Sequence, residues 1–241
     1  MKKLKKLLLG LMILTLVFAV MSCGRTSVKM VKIPELYFEV LPTEVTQELY
    51  ERIMNENPST FKFATNPVEM VSWYDAIYFC NKLSVVDGLE PVYSVDGNID
   101  TTKWNYNPHQ DESIIGKINQ NTSADGYRLP TVEEWQYVAL GGGYYRYAGS
   151  NFIDEIAWYE KNSNDTAHPV AQKKANGYGL YDMSGNLSEW CYDTNVGDWR
   201  YAYGGSWKSN KDWCSIDKWT GTQASCRTYR IGFRIVRTIT E

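Results

Sequence analysis

The sequence predicts a single α+β domain, rich in loops, behind an export signal. Three observations carry this. Helix-start signatures recur ahead of short apolar stretches: Thr46, then Ser72-Trp73-Tyr74-Asp75, then Thr131-Val132-Glu133-Glu134. Candidate strands are few and short. Between them run long connections rich in glycine and asparagine, which in compact domains usually mark functional loops.

At the amino terminus, Lys2, Lys3, Lys5 and Lys6 make a positive n-region. Residues 7–20 follow as an apolar run of signal-peptide length, short of a comfortable bilayer span. Ser22-Cys23 closes the run and is similar to a bacterial lipobox, although Met21 replaces the usual small residue there. Cleavage before Cys23 divides the chain into a signal peptide (1–22), a lipidated tether (23–29) and a domain (30–241). Several acyl chains on Cys23 would anchor the protein stably, where one chain would not. The expected location is the outer membrane or cell surface.

The mature chain is about 219 residues long, enough for one sizeable core. Without the four signal lysines it holds 21 basic against 28 acidic residues, a net charge near −7. That balance excludes charge-driven binding of nucleic acid, and membrane contact is left to the lipid. Cys80, Cys191, Cys214 and Cys226 remain after Cys23, and an exported location permits disulfides among them. Four cysteines allow three pairings, and the sequence does not choose. The histidines, His109 and His168, are too few for a zinc site with these cysteines.

The elements follow in order. Strands are expected at 30–33 and 37–39. A helix capped by Thr46 runs to about Met54 and breaks at 55–59. A second runs from Ser72 to about Val85, with Ala76, Phe79, Cys80 and Leu83 on one face. A strand at 93–95 comes next. A third helix opens at Thr131 and stops near Leu140, at Gly141-Gly142-Gly143. Two more strands fall at 202–204 and 232–238.

Residues 190–241 are different. They hold five tryptophans (Trp190, Trp199, Trp207, Trp213, Trp219) among Ser, Thr, Asn, Asp, Gly and Lys. The alternation of a core strand is missing. Large flat side chains mixed with small polar ones are typical of binding surfaces. Tryptophan is nevertheless highly buried on average, so about half of these rings are expected in the core.

Ordered phrases span the domain: Thr43-Glu44-Val45-Thr46, Asn57-Pro58-Ser59, Asn66-Pro67-Val68-Glu69, Gly126-Tyr127-Arg128-Leu129-Pro130-Thr131, Glu134-Trp135, Asn176-Gly177-Tyr178-Gly179-Leu180-Tyr181-Asp182-Met183, Gly185-Asn186, Glu189-Trp190, Gly204-Gly205-Ser206 and Gly232-Phe233-Arg234. Together they resemble the formylglycine-generating-enzyme-like (sulfatase-modifying factor) branch of the C-type lectin fold, across about residues 30–238. The resemblance implies that fold, and fold alone does not decide function. In the enzymes two cysteines hold copper; the matching positions here are Ser209 and Cys214. A serine hydroxyl is a poor ligand for Cu(I), so no catalytic residue and no required cofactor are expected. The enzymes' calcium turn maps onto Asp182, Gly185, Leu187 and Glu189, which implies an optional structural Ca2+. Hydrogen bonding of Asp182 and Glu189 to loop amides is the competing reading.

A lipoprotein signal, this fold, and an aromatic and polar cassette between Gly204-Gly205-Ser206-Trp207 and Gly232-Phe233-Arg234 also resemble the variable proteins of diversity-generating retroelements. That resemblance implies a non-catalytic, surface-anchored protein with a diversified binding face for a protein or other macromolecular surface ligand. The expected contact residues are Trp199, Tyr201, Ser209, Asn210, Asp212, Trp213, Ser215, Asp217, Trp219, Tyr229 and Arg230. The alternative is a copper oxidase or protein-modifying enzyme of the same fold. The Glu-Pro-Asn and Gln-Pro-Asp sugar motifs of calcium-dependent lectins are absent, and carbohydrate is not expected.

Overall fold

The computed structural model describes residues 28–34 and 36–239; the signal peptide and Cys23 lie outside the described residues. Strand β1 (Val31–Lys32) pairs with β2 (Phe38–Val40) at the start of the domain, and β2 pairs in turn with β10 (Val236–Thr238), from its end. Strand β5 (Tyr127–Arg128) completes this antiparallel sheet in the order β1-β2-β10-β5. A second sheet runs β8-β7-β6-β9, from β6 (Ser188–Thr194), β7 (Trp199–Tyr203), β8 (Trp219–Gln223) and β9 (Ile231–Gly232). Strands β3 (Tyr93–Val95) and β4 (Ile118–Gln120) form a separate hairpin.

The helices start where the sequence says. In α1 (Gln47–Met54) the Thr46 hydroxyl accepts from the Leu49 amide. In α2 (Trp73–Asp87) and α3 (Val132–Leu140) the pairs Ser72/Asp75 and Thr131/Glu134 close full capping boxes. Helix α2 runs two residues past the expected end, to a left-handed Gly88 at φ 73°. Its predicted apolar face, Ala76, Phe79, Cys80 and Leu83, is completely buried. A short α4 (Ile153–Ile156) was not anticipated. Among the described residues no helix is long and apolar enough to cross a membrane.

The aromatic cassette holds more strand than the 202–204 expected of it. β6, β7 and β8 all lie in or beside it. Strands β7 and β8 are exposed or half-buried along most of their length, so no apolar alternation marks them. The strand expected at 232–238 is interrupted: Phe233 and Ile235 carbonyls accept instead from the amides of Val45 and Leu41, each at 2.9 Å. This turns residue 234 inward. Its guanidinium reaches Glu189 through both carboxylate oxygens at 2.6 Å, and neither side chain is exposed. Arg234 also donates to the carbonyls of Leu41 and Tyr181, while the Trp135 indole donates to Glu189 at 2.7 Å. One buried ion pair thereby joins both large sheets, α3 and two loops.

A second buried centre ties the cassette to α2. Asp75 accepts from the Arg227 guanidinium at 2.8 Å, from Tyr106 at 2.7 Å and from the His109 amide at 3.0 Å. Burial works against its charge, but the bonds from Arg227 hold the carboxyl below its ordinary range. His109 stacks edge-on to Tyr50, with Nε2 3.0 Å from the phenol oxygen. Its Nδ1 stands 3.6 Å from Asp75, which favours the imidazolium. Burial opposes that charge more strongly and, with Arg227 adding to it, holds the imidazole below 6.5. Among the described residues all four cysteines are free thiols, and only Cys226 is not buried.

Trp135→Ala removes a fully buried ring and should cost ~3–5 kcal/mol in denaturant unfolding. Arg234→Met leaves Glu189 charged and unpaired in the core and should cost about as much, whereas Arg234→Met with Glu189→Leu should recover most of the loss. The depressed His109 makes a second prediction. The neutral ring is the form the fold prefers, so its contribution is complete above about pH 6.5 and is lost as pH falls through the lower folded value. His109→Asn, which suits the left-handed backbone at φ 65°, should flatten that part of the stability–pH curve.

Candidate ligand-binding face

One glycine shapes the face. Gly205 has φ 68°, and a Cβ there would sit 2.6 Å from the Trp213 carbonyl. Its absence lets the 3₁₀ turn Lys211–Cys214 pack directly on the chain leaving β7. Asn210 caps that turn, accepting from the amides of Asp212 and Trp213. Ser209 accepts from the Ser206 amide at 2.9 Å. Arg146 reaches across from the preceding loop to Asp212 at 2.6 Å. The turn is fixed by backbone and short polar bonds, which leaves Trp213 half exposed.

A cleft of about 520 Å³ opens beside it. Among the predicted contact residues, Ser209, Asn210, Trp213, Trp219 and Arg230 line it. Its remaining wall includes Glu160, Ser188, Ser206, Lys208, Lys218, Thr220, Gly221, Thr222, Cys226 and Thr228. Glu160 and Ser188 come from outside the cassette, so no local pattern marks them. Lys208 and Lys218 sit beside predicted positions and read in sequence as ordinary solvated charges.

Strand register sorts the other aromatics. Tyr203 pairs Trp219, Tyr201 pairs Gly221 and Trp199 pairs Gln223, so these six share one face of the β7–β8 ribbon. Tyr201 meets Trp219 edge-to-face at 4.8 Å between centroids. Thr220 and Thr222 belong to the opposite face and line the cleft. Trp199 and Tyr201 thus form an aromatic surface next to the cleft and outside its lining, with Trp219 between the two. Tyr229 is exposed, and its ring packs beside the buried Trp207 at 5.7 Å.

Three predicted contact residues are engaged otherwise. Ser215 is buried, and its hydroxyl donates its one proton to Asp217 at 2.6 Å, with the Asp212 carbonyl also in reach at 3.1 Å. Its role is to brace the turn, a correction that followed from no feature of the sequence. Asp212 and Asp217 are exposed but outside the lining; they pair with Arg146, and with Ser215 and Lys218. Of the cassette tryptophans, Trp190 and Trp207 are buried, and Trp199, Trp213 and Trp219 are exposed.

The positions matching the copper ligands do not make a thiolate pair. Ser209 is bonded to Ser206, and burial, with Glu160 adding to it, pushes the Cys214 thiol up to about 12. Glu189 does not fit the calcium set either. Its oxygens are filled by Arg234 and Trp135, and Arg234 already supplies the counter-charge. Asp182 accepts from the Ala171 amide through one oxygen, and its other oxygen is buried without a partner, as is one oxygen of Glu44. Burial raises both carboxyls, Asp182 to about 6 and Glu44 well above its ordinary range. Protonation therefore relieves that burial. Among the described residues no three His, Cys, Asp or Glu groups are placed to hold a metal ion.

Comparison with known proteins agrees with this frame. Chaperone protein LppX of Paenibacillus barcinonensis is 40% identical over 200 residues, which cover 72% of this chain and 70% of that one. Treponema denticola variable protein 1 superimposes with a TM-score of 0.78 at 32% identity, covering 87% of this chain and 91% of that structure. The crystal structure of CarF superimposes at 0.69, also at 32% identity, covering 90% and 96%. Residues 25–239 match the sulfatase-modifying factor enzyme 1-like domain, and the chain belongs to that family.

Proposed function

We propose that this protein is an exported lipoprotein that binds a macromolecular partner through the cleft and its aromatic border, without catalysis. The observation that carries the reading is the placement of Trp213 and Trp219. Both rings stand half exposed at a cleft whose framework is locked by Gly205, Asn210 and Ser215. Exposed tryptophan on a rigid frame loses little entropy on contact and is a frequent source of binding energy. Likeness to a chaperone protein and to a variable protein supports binding over turnover. Against a copper oxidase stands the Ser209 and Cys214 pair, one hydroxyl and one buried thiol. Anchoring through Cys23 and a diversified face between β7 and β9 are parts of the same reading.

Combined replacement of Asp217, Tyr229 and Arg230 should then change what is bound, at a stability cost under ~0.5 kcal/mol per site, whereas Asn210→Ala, which removes the cap of the turn, should cost about 1 kcal/mol. Ser215→Ala should cost more than those surface changes, about 1 kcal/mol, since its buried hydrogen bond to Asp217 goes with it. A denaturation series measures both. If the exposed set destabilises as strongly as Trp135→Ala, those residues are structural and the reading fails.

Fatty-acid labelling of cells should mark the wild-type protein and leave Cys23→Ser unmarked. Label retained in Cys23→Ser would remove the anchor from the proposal. For diversification, the expected genomic sign is a nearby near-copy of the segment encoding residues 195–237, differing mainly at adenines.

A further inference from the structure

β8 is an edge strand, since it pairs with β7 on one side and, among the described residues, with no strand on the other. The Ala224 amide bonds the Asp198 carbonyl one pair beyond the ribbon. Antiparallel pairing alternates, so Thr222 and Thr220 turn their backbone groups toward β7, and Trp219, Gly221 and Gln223 turn theirs outward. Gln223 agrees with this phase, because its carbonyl accepts from the Cys226 amide. The outward groups of Trp219 and Gly221 meet no hydrogen-bond partner among the described residues. Exposed edges are normally blunted by charge, proline or a bulge, and Trp219-Thr220-Gly221-Thr222-Gln223 carries none of these. The cleft runs along this strand, for four of its five residues line it.

Charge gives the second observation. Lys208, Lys218 and Arg230 line the cleft against one carboxylate, Glu160, in a protein whose net charge is negative. Lys208 and Lys218 are about half exposed in loose pairs with Asp165 and Asp217, at 3.7 and 3.1 Å. Arg230 has no ion-pair partner among the described residues and lies over the Tyr229 ring.

We infer that the cleft takes an extended, acidic segment of a partner protein, which adds to the sheet along β8. Its backbone pairs with Trp219 and Gly221, its carboxylates meet Lys208, Lys218 and Arg230, and its apolar side chains rest on Trp213 and Trp219. Strand addition supplies affinity through main-chain bonds and specificity through side-chain pockets. The inference rests on the binding reading above and adds the ligand's conformation and charge.

The test uses the full chain in detergent and fluorescence anisotropy of a labelled peptide of alternating glutamate and valine. Three companions are a glutamine-for-glutamate peptide, the same acidic peptide methylated on alternate amides, and a heparin oligosaccharide. The acidic peptide should bind best, with affinity falling roughly tenfold or more between low and high salt. Arg230→Glu and Lys208→Glu, both surface changes, should weaken it by a similar factor, as should amide methylation in one of its two registers. Equal binding of the glutamine peptide, or indifference to methylation in both registers, overturns the inference. If such binding is still lost in Trp219→Ala, the binding face itself stands. No peptide binding overturns it too, as does binding of heparin alone, or sedimentation showing that a second copy of the chain occupies β8.

Discussion

The buried pair of Arg234 and Glu189 is the contact on which the rest of the structure depends. It sits where the strand that returns to the first sheet passes behind the second sheet. A charge without water is tolerable only when every hydrogen-bonding group is met, and Arg234 meets two carboxylate oxygens and two backbone carbonyls. The Trp135 indole adds a third donor to Glu189. Such a pair contributes little net stability against an apolar replacement, and its value here is geometric. It fixes the distance between the two sheets, the depth of α3 and the path of residues 233–235.

That same fixation governs what the neighbouring carboxyls do. Glu44 and Asp182 face the pair, but Arg234 has only one charge to share. Burial, with repulsion from Glu189, raises both above the ordinary range. This explains why a turn whose sequence matches a calcium motif lacks a calcium geometry around Glu189. A ligand set is defined by free oxygens in space, and the arginine that makes the fold has already taken two of them.

On the other side of β6 the polar network relaxes. The turn Lys211–Cys214 and the ribbon β7–β8 are held by backbone bonds, capping side chains and a glycine contact. Side chains that point away from this frame carry no structural duty, which is why Trp213, Trp219 and Arg230 are available to a ligand. The Asp75–Arg227 centre anchors the far end of the cassette to α2.

The helices were legible in the sequence because their signals are local. Thr46, Ser72/Asp75 and Thr131/Glu134 cap within one turn, and left-handed glycines or asparagine end the helices a few residues later. The ordered phrases were legible as a frame, and Ser209 in place of a cysteine was enough to decide against a copper thiolate pair. Of the cassette's strands, β7 was legible only at its end and β6 and β8 were not, since what holds a strand is a partner segment and not its own residues. Nor was the fate of Ser215, whose hydroxyl is spent inside the turn, or of Glu189, claimed by an arginine 45 residues on. The division of Trp199 and Tyr201 from the cleft depends on ribbon register, a property of two strands together. Composition put large aromatic and small polar side chains in one segment; only the packing of distant segments decided which of them are exposed.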